Sequence, residues 1–461
     1  MLKKGKKVLT FSRSEKGRFR GTRVLIFGLG LNQGGVGAAK FFAEHGAKVK
    51  VTDLKTADIL KPSIEELKEF SLIEFSLGEH KNEDIDWADI IIRNPAIKDS
   101  NPYLKYAISQ NKKIETDFSI FLNYVNQKKL IAVTGTKGKS TTASLIYEAL
   151  KTNGEKVVFA GNIGKSILDI IPFLKDDPYI VVEISSFQLQ ALKNKNFAPK
   201  IAVITNIYPD HLNWHSSMEE YIQAKRIIAS NQTESDHLII SCQNILNSEA
   251  FIEGVKSQVI QACGENLRHS VDITKLPLKG SGNEDNYAQA FAVAKILGID
   301  EKTVLTAFEK FKGADFRLQL IGEFNGIKII NDSTATNPTA TIEGLRSVGS
   351  CILIAGGMNK GLEYHELAAE IETLTQVKAL YLLLGDASEQ IAKYIRDKSI
   401  IKGNGFYDNL ESLLEDVKKQ AKPADIILFS PGATSFNMFQ NEFDRGRRFN
   451  EAVKKVFKIG N

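Results

Sequence analysis

Cysteine, tryptophan and methionine are scarce in this chain: three, two and four residues among 461. Cys242, Cys263 and Cys351 are scattered through apolar text with no Cys-x-x-Cys spacing. That argues against a zinc site or a disulfide-held scaffold, and for buried free thiols in a reducing compartment. Long hydrophobic runs are missing too: no stretch approaches the ~18 apolar residues that span a bilayer. The basic amino end (Lys3, Lys4, Lys6, Lys7, Arg13, Lys16, Arg18 and Arg20) lacks the ~7–15-residue apolar segment of a secretion signal. A solvated arm, a cytoplasmic protein and no membrane partner are expected. Surplus charge of one sign is small, since 60 Lys and Arg against 55 Asp and Glu leave +5. Over this length that does not indicate a nucleic-acid partner. Internal repeats, low-complexity tracts and long Pro/Ser linkers are also lacking.

What is present is ordinary globular text, 43% hydrophobic and 25% charged. At ~150 residues per domain the length suggests three domains. Apolar strands alternate with helical stretches almost throughout, the pattern of parallel sheets covered by helices. Strands over 24–28, 49–53 and 90–92 mark a first block. Strands over 130–133, 179–183, 201–205 and 237–242 mark a second, closed by helices over 287–297 and 302–311. Strands over 327–331, 351–355, 379–384 and 426–429 mark a third. The reading is an α/β protein of three domains: residues 1–118, Rossmann-like; 119–314, a central ATPase-type domain with a phosphate loop and a parallel sheet; and 315–461, again Rossmann-like.

The densest chemistry lies at Ala132-Val-Thr-Gly-Thr-Lys-Gly-Lys-Ser-Thr141. An apolar strand runs into a glycine-broken loop that ends in Lys-Ser-Thr and opens a helix. Gly135 and Gly138 let the backbone turn N–H groups onto phosphate oxygens, Lys139 adds charge at the β/γ end, and Ser140 offers a hydroxyl to Mg²⁺. Use of ATP follows. Val133 replaces the first glycine of the G-x-x-x-x-G-K-[ST] pattern, so the spelling is the narrower Thr-Gly-Thr-x-Gly-Lys-Ser-Thr.

Gly28-Leu-Gly30-Leu-Asn-Gln-Gly34 approximates a dinucleotide fingerprint, with Asp53 ending the next strand where a ribose-binding acid would sit. Its third glycine is one place late, and such a loop and helix start would hold another diphosphate, a nucleotide sugar included, equally well. Glu183, at the exit of a parallel strand beside the phosphate loop, is placed as a Mg²⁺ ligand. His211, in Asp210-His-Leu-Asn-Trp-His215, is placed to reach a second ion. By composition alone Lys225 is a surface lysine on a helix over 218–225. In the third block Asn331-Asp-Ser-Thr-Ala-Thr-Asn337, Gly356-Gly-Met-Asn-Lys-Gly361 and Ser430-Pro-Gly-Ala-Thr-Ser-Phe436 each follow a strand. Asn337 and Pro338 also suit the cap and first turn of a helix. Three polar loops at strand ends in one block suit a small polar substrate.

Together and in this order, the loop Thr134–Thr141, Glu183-Ile-Ser-Ser-Phe187, Asp210-His211, Lys225, the run 331–337 and the run 356–361 resemble the Mur ligases of peptidoglycan synthesis, over nearly the whole chain. The Gly28-x-Gly30 loop and the tail 430–446 resemble most the branch that adds D-glutamate. The resemblance implies ATP-dependent amide ligation of D-glutamate onto UDP-N-acetylmuramoyl-L-alanine through an acyl phosphate, by a monomer using two Mg²⁺ ions. It implies that Gly135, Thr136, Lys137, Gly138, Lys139, Ser140 and Thr141, with Asn286, Arg317 and Asp332, hold ATP. Leu31, Asn32 and Asp53 would bind the uridine part, Asn162, Ser185 and Gln188 the muramoyl part, and Thr336, Lys360, Ser435 and Phe443 D-glutamate. Lys225 would carry a CO₂-derived carbamate and join Ser140, Glu183 and His211 as a metal ligand. Carbamylation needs a neutral amine, and adjacent dications favour its anionic product. Lys139, Glu183, His211 and Lys225 would form the catalytic set.

The chain departs from the family pattern in places. It has Asp285-Asn286-Tyr-Ala-Gln289 for His-Asn-x-x-Asn, Phe316-Arg317 for His-Arg, and Asp332-Ser333-Thr334 for Asp-Ser-Lys. Glu442 stands where a phenylalanine shapes the glutamate pocket, with Phe443 beside it, and Asn94-Pro95-Ala96-Ile97 replaces an SPGI-like turn. Among other readings, a folylpolyglutamate-type ligase leaves the Gly28 loop unexplained and a nicotinamide oxidoreductase leaves the phosphate loop unexplained. A non-catalytic nucleotide-binding scaffold is distinguished only by activity.

Overall fold

The computed structural model describes residues 17–31, 33–161, 166–211, 214–242, 251–359, 361–435 and 438–458. The basic arm before residue 17, and with it the expectation of solvation there, lies outside them. The strands form three sheets. In the first, β1 (Arg23–Phe27), β2 (Lys48–Asp53), β3 (Glu74–Leu77), β4 (Ile90–Arg93) and β5 (Lys113–Glu115) run parallel in the order β3-β2-β1-β4-β5. The order reverses between β1 and β4, and the Gly28 loop leaves the carboxyl end of β1 there, the place where open α/β sheets bind ligands.

The second sheet holds β6 (Leu130–Thr134), β7 (Val157–Gly161), β8 (Tyr179–Glu183), β9 (Ile201–Ile204), β10 (His237–Ile240) and β11 (Gln258–Gln261), all parallel in the order β11-β10-β9-β6-β8-β7. Parallel strands covered on both faces read as unbroken apolar runs, and every residue of β6 and β9 is buried. Because β6 lies between β9 and β8, the phosphate loop, the residues after Ile204 and Glu183 all leave one edge of the sheet side by side.

The third sheet, β12 (Gln319–Phe324), β13 (Ile327–Asn331), β14 (Cys351–Gly356), β15 (Val377–Leu383), β16 (Ile401–Tyr407) and β17 (Ile426–Phe429), has the order β12-β13-β17-β14-β15-β16. The β12–β13 pair is antiparallel; β12 is not among the strands expected from the sequence, and those that are, β13, β14, β15 and β17, run parallel. Asn325 and Gly326 turn the hairpin with φ of 48° and 78°, as the Asn-Gly pair allows. The three polar loops follow β13, β17 and β14, which are neighbours, so they meet at one sheet edge.

The chain divides into two compact units, Met1–Phe311 and Lys312–Asn461. The first contains both of the first two sheets. Its main core runs without interruption from Val24 and Ile26 through Phe118, Phe121 and Phe197 to Leu130 and Ala132. The expected division at 118/119 therefore falls inside the buried helix Asp117–Phe121. Cys242 and Cys263 are paired as a disulfide with Cα atoms 5.5 Å apart, correcting the expectation of free thiols at those positions, while Cys351 is free and buried. The pairing follows from register: Ile240 faces Gln261 in the β10–β11 ladder, and each cysteine follows its strand by the same two residues. Among the described residues no helix is long and apolar enough to cross a membrane.

In the second unit the helix Glu442–Phe457 lays Phe449 flat against Phe429 of β17, ring centroids 4.0 Å apart at 4°. Both rings are fully buried. Phe449→Ala should lower the unfolding free energy of this unit by about 3–5 kcal/mol, measured by denaturant titration. A loss well under ~1 kcal/mol would show that the ring is not part of the core.

Candidate functional site

The phosphate loop has its shape because two glycines occupy backbone conformations closed to other residues. Gly135 has φ 148°, and a Cβ there would lie 1.9 Å from Thr205 Oγ1. Gly138 caps the helix Lys139–Thr152 with φ 80°, and its Cβ would lie 2.2 Å from Asn286 Oδ1. Asn286, on the helix Ser281–Ile296, accepts a hydrogen bond from Thr142 Oγ1 at 3.1 Å, so it braces the loop from the far side. Thr205 Oγ1 and Asn206 Nδ2 both donate to Lys137 O, at 2.5 and 3.0 Å, and Gln289 Nε2 holds Thr205 O at 3.0 Å. The glutamine that stands for the family's asparagine thus secures the strand end behind the loop. Lys139 Nζ donates to Gly135 O and Thr136 O at 3.1 and 2.8 Å. Thr141 is half-buried in the first helical turn and Lys137 is exposed.

Beside this loop stand the groups suited to a metal. Ser140 Oγ donates to Glu183 Oε2 at 2.5 Å. Glu183 is fully buried, and its Oε1 has no hydrogen-bond partner among the described residues. A buried carboxylate oxygen left without a donor carries a large desolvation penalty, which a cation would remove. Lys225, expected at the surface on composition, is 1% exposed. Its Nζ donates to Gly135 O at 2.8 Å and sits 4.5 Å from the Tyr221 ring centroid. Burial, then the charge of Lys139, push this amine well below the ordinary lysine range, against the pull of Asp210 and Glu183. Burial likewise lowers His211, with Lys139 and Lys225 adding to the effect and Asp210 opposing it. The four expected catalytic residues therefore share one electrostatic neighbourhood. Among the described residues no group of three or more His, Cys, Asp or Glu is arranged to hold a metal. An ion here has to draw on Ser140 and on Lys225 as well as on Glu183 and His211.

Tyr221, which the sequence reading passed over, joins these parts. It is buried one helical turn before Lys225, and its hydroxyl lies 3.0 Å from Thr136 Oγ1. The i, i+4 spacing of the two residues was the available signal.

At the first sheet Asp53 is buried and accepts hydrogen bonds from Gly30 N at 3.0 Å and Lys55 N at 2.9 Å. It holds the Gly28–Gly30 turn, whose glycines have φ 94° and 63°. Leu31 is half-buried there, and Asn32 lies outside the described residues. Ser185 and Gln188 form a reciprocal capping box on the helix Ser186–Ala191, and Asn162 lies outside the described residues.

In the second unit Asp332 is buried at the end of β13, accepting from Leu318 N at 3.2 Å and Ser430 Oγ at 2.7 Å. Arg317 is exposed, Thr336 and Phe443 are half-buried, and Lys360 lies outside the described residues. Phe316 and Phe443 meet edge to face at 6.4 Å. Thr334, in the lysine position of the family pattern, donates both its N–H and its hydroxyl to Phe316 O, at 3.0 and 2.8 Å. Ser435 is buried and its hydroxyl has no partner among the described residues. Arg445 was also passed over. Fully buried, it donates to Ser333 Oγ and O at 3.0 and 2.6 Å and to Ala433 O at 2.9 Å. It ties the loop after β13 to the loop after β17, and burial lowers its guanidinium to about 10.

Comparison with known proteins places these features. Residues 22–116 match the Mur ligase MurD-like N-terminal domain, residues 133–329 the Mur ligase middle domain, and residues 316–432 the Mur ligase glutamate ligase domain. The chain is 36% identical to a UDP-N-acetylmuramoylalanine–D-glutamate ligase of Roseiflexus sp. (strain RS-1), over 94% of this chain and 98% of that protein. Among solved structures it is similar in fold to the UDP-N-acetylmuramate-alanine ligase of Thermotoga maritima, with TM-score 0.55 and 20% identity over 94% of this chain and 99% of that one. The MurF ligase of Thermotoga maritima, solved in complex with ADP, gives TM-score 0.50 and 18% identity over 96% and 97%.

Two outcomes follow from the geometry. A methyl at Gly135 displaces the loop from Thr205, so Gly135→Ala should weaken ADP binding by about tenfold or more. Unchanged affinity in a calorimetric titration would contradict the fit. Burial raises the Asp332 carboxyl from 3.8 to about 7, against hydrogen bonds from Ser430 and Leu318 and the charges of Arg317 and Arg445. The proton is held in the folded chain and lost near 3.8 in the unfolded one. The resulting stabilisation is complete below about pH 4 and disappears as the pH rises through about 7. Asp332→Asn does not titrate, so relative to the parent it should gain stability between about pH 5 and about pH 8. The same stability difference at both pH values would contradict the assignment.

Proposed function

The chain belongs to the Mur ligase family, and from that premise we propose that it joins D-glutamate to UDP-N-acetylmuramoyl-L-alanine with ATP, as its relatives of that name do. A carboxylate does not acylate an amine at neutral pH. ATP's γ-phosphoryl therefore passes first to the carboxylate of the alanyl acceptor, giving an acyl phosphate and ADP. The amine of D-glutamate then attacks the acyl carbon and phosphate leaves with the bonding pair, so the amide forms at the expense of one phosphoanhydride.

The phosphate loop turns its N–H groups on the β- and γ-phosphates, and Lys139 moves from its carbonyl contacts onto the transferring oxygens. Mg²⁺, when bound, neutralises developing negative charge on the phosphoryl group. Ser140 and Glu183 would hold one ion, and His211 with carbamylated Lys225 would help hold a second. Burial pushes the Lys225 amine toward the neutral form, which suits attack on CO₂, a step that forms an N–C bond and releases one proton. Asn286, Arg317 and Asp332 would contact the nucleotide, and Leu31, Asn32 and Asp53 the uridine diphosphate part. Asn162, Ser185 and Gln188 would line the muramoyl part, and Thr336, Lys360, Ser435 and Phe443 would receive D-glutamate. A chain of this kind works as a cytoplasmic monomer, without nucleic acid or membrane.

The observation that carries this reading is the spare oxygen of Glu183 beside the Ser140 hydroxyl and the buried Lys225 amine. The direct test supplies ATP, Mg²⁺ and UDP-N-acetylmuramoyl-L-alanine with and without D-glutamate and follows phosphate release and product mass. A product heavier by one glutamyl residue is expected. Amide formation on a folate acceptor instead, or NADH oxidation without phosphate release, would replace the reading. Lys139→Ala should lower kcat about 10²–10³-fold, and removal of dissolved CO₂ should lower the rate reversibly. Parental rates in both would overturn the assigned roles.

A further inference from the structure

His215 is a buried imidazole to which no role in the reaction has been given. It is fully buried, yet its Nδ1 has no hydrogen-bond partner among the described residues, and Glu220 Oε1 lies 4.0 Å away. A phenyl or leucyl side chain would fill the same space without burying an unpaired nitrogen, so packing alone does not account for histidine here. Its other nitrogen, Nε2, lies 3.0 Å from Ser186 Oγ. Ser186 opens the helix that follows β8, three residues after Glu183.

The same residue reaches the other metal-facing loop by two routes. Its backbone N–H donates to His211 O at 2.9 Å. Its ring lies parallel to that of Phe187 at 5.7 Å and 4°, and Phe187 in turn meets the His211 ring edge-on at 4.9 Å. On its remaining side it tilts against Tyr221 at 5.2 Å. One imidazole thus touches the loop of Glu183, the loop of His211 and the helix of Lys225.

Resting on the ligase reading above, we propose that His215 is a positioning residue that locks the Glu183 and His211 loops in register and so sets the spacing of the two metal-binding groups. Imidazole is suited to this because one ring both stacks on Phe187 and hydrogen-bonds Ser186.

The test compares the parent with His215→Phe, Ser186→Ala and the double variant. His215→Phe keeps an aromatic ring against Phe187 and removes the bond, and Ser186→Ala removes the same bond from the other side. Each single variant should lower kcat by about tenfold or more with KM for ATP within about twofold. Mn²⁺ affinity in the presence of ADP, read by electron paramagnetic resonance, should weaken by about tenfold or more. Because both substitutions break one contact, the double variant should be no worse than the weaker single, and the thermal midpoint of His215→Phe should match or exceed the parent's. His215→Gln, which can still reach Ser186, should recover part of the metal affinity.

Parental kcat and Mn²⁺ affinity in His215→Phe would overturn the proposal. So would losses that are additive with Ser186→Ala, or that accompany a lower thermal midpoint and are not recovered by glutamine. These outcomes presuppose a parent that makes amide; a parent that makes none overturns the ligase reading itself.

Discussion

An ionisable oxygen shut away from water without a donor is among the least favourable arrangements a fold can hold, and Glu183 Oε1 is in that position. The surrounding architecture keeps it there. β8 delivers the carboxylate to the sheet edge next to β6, and Ser140, in the first turn after the phosphate loop, takes one oxygen and leaves the other. The lysine across the site cannot neutralise it through an ion pair of the ordinary kind, since its amine is bound to Gly135 O and is itself driven toward the neutral form by burial. Two buried groups, each costly alone, would become favourable together if a dication were shared between Glu183 and a carbamylated Lys225, as proposed.

The phosphate loop, Glu183 and the strands that carry them were legible because each rests on local rules. A strand of buried apolar residues, a glycine where φ is positive and a helix start are all written in adjacent letters. The three polar loops of the second unit were legible one by one, whereas their meeting depends on β13, β17 and β14 being neighbours, which no local rule sets. The burial of Lys225 was not legible from composition, because its environment is supplied by Tyr221, Gly135 and Lys139. Its proposed role entered only through the resemblance to a family. Tyr221 and Arg445 were passed over for the same reason, their partners being distant in sequence.

The expectation of free thiols at Cys242 and Cys263 failed for a physical reason. The cysteine spacing of 21 residues carried no signal, because the pairing depends on the register of β10 with the edge strand β11, which is too polar to be recognised from its pattern. The division expected near residue 118 lies in a helix whose Phe118 packs edge-on against Phe197, within a core that both sheets share. A short helix with aromatic residues can join two sheets as firmly as it can separate them. The departures at Gln289 and Thr334 are absorbed differently, each side chain taking a backbone carbonyl at a strand end or turn.

The central claim is that Ser140, Glu183, His211 and a modified Lys225 hold metal together beside the phosphate loop. The most direct measurement is anomalous scattering from crystals of the protein grown with ADP, Mn²⁺ and UDP-N-acetylmuramoyl-L-alanine. The account predicts one peak bonded to Ser140 and Glu183, a second near His211, and extra density on Lys225 Nζ for a carbamate. Peaks lying elsewhere, with Lys225 still an unmodified amine on Gly135 O, would contradict it.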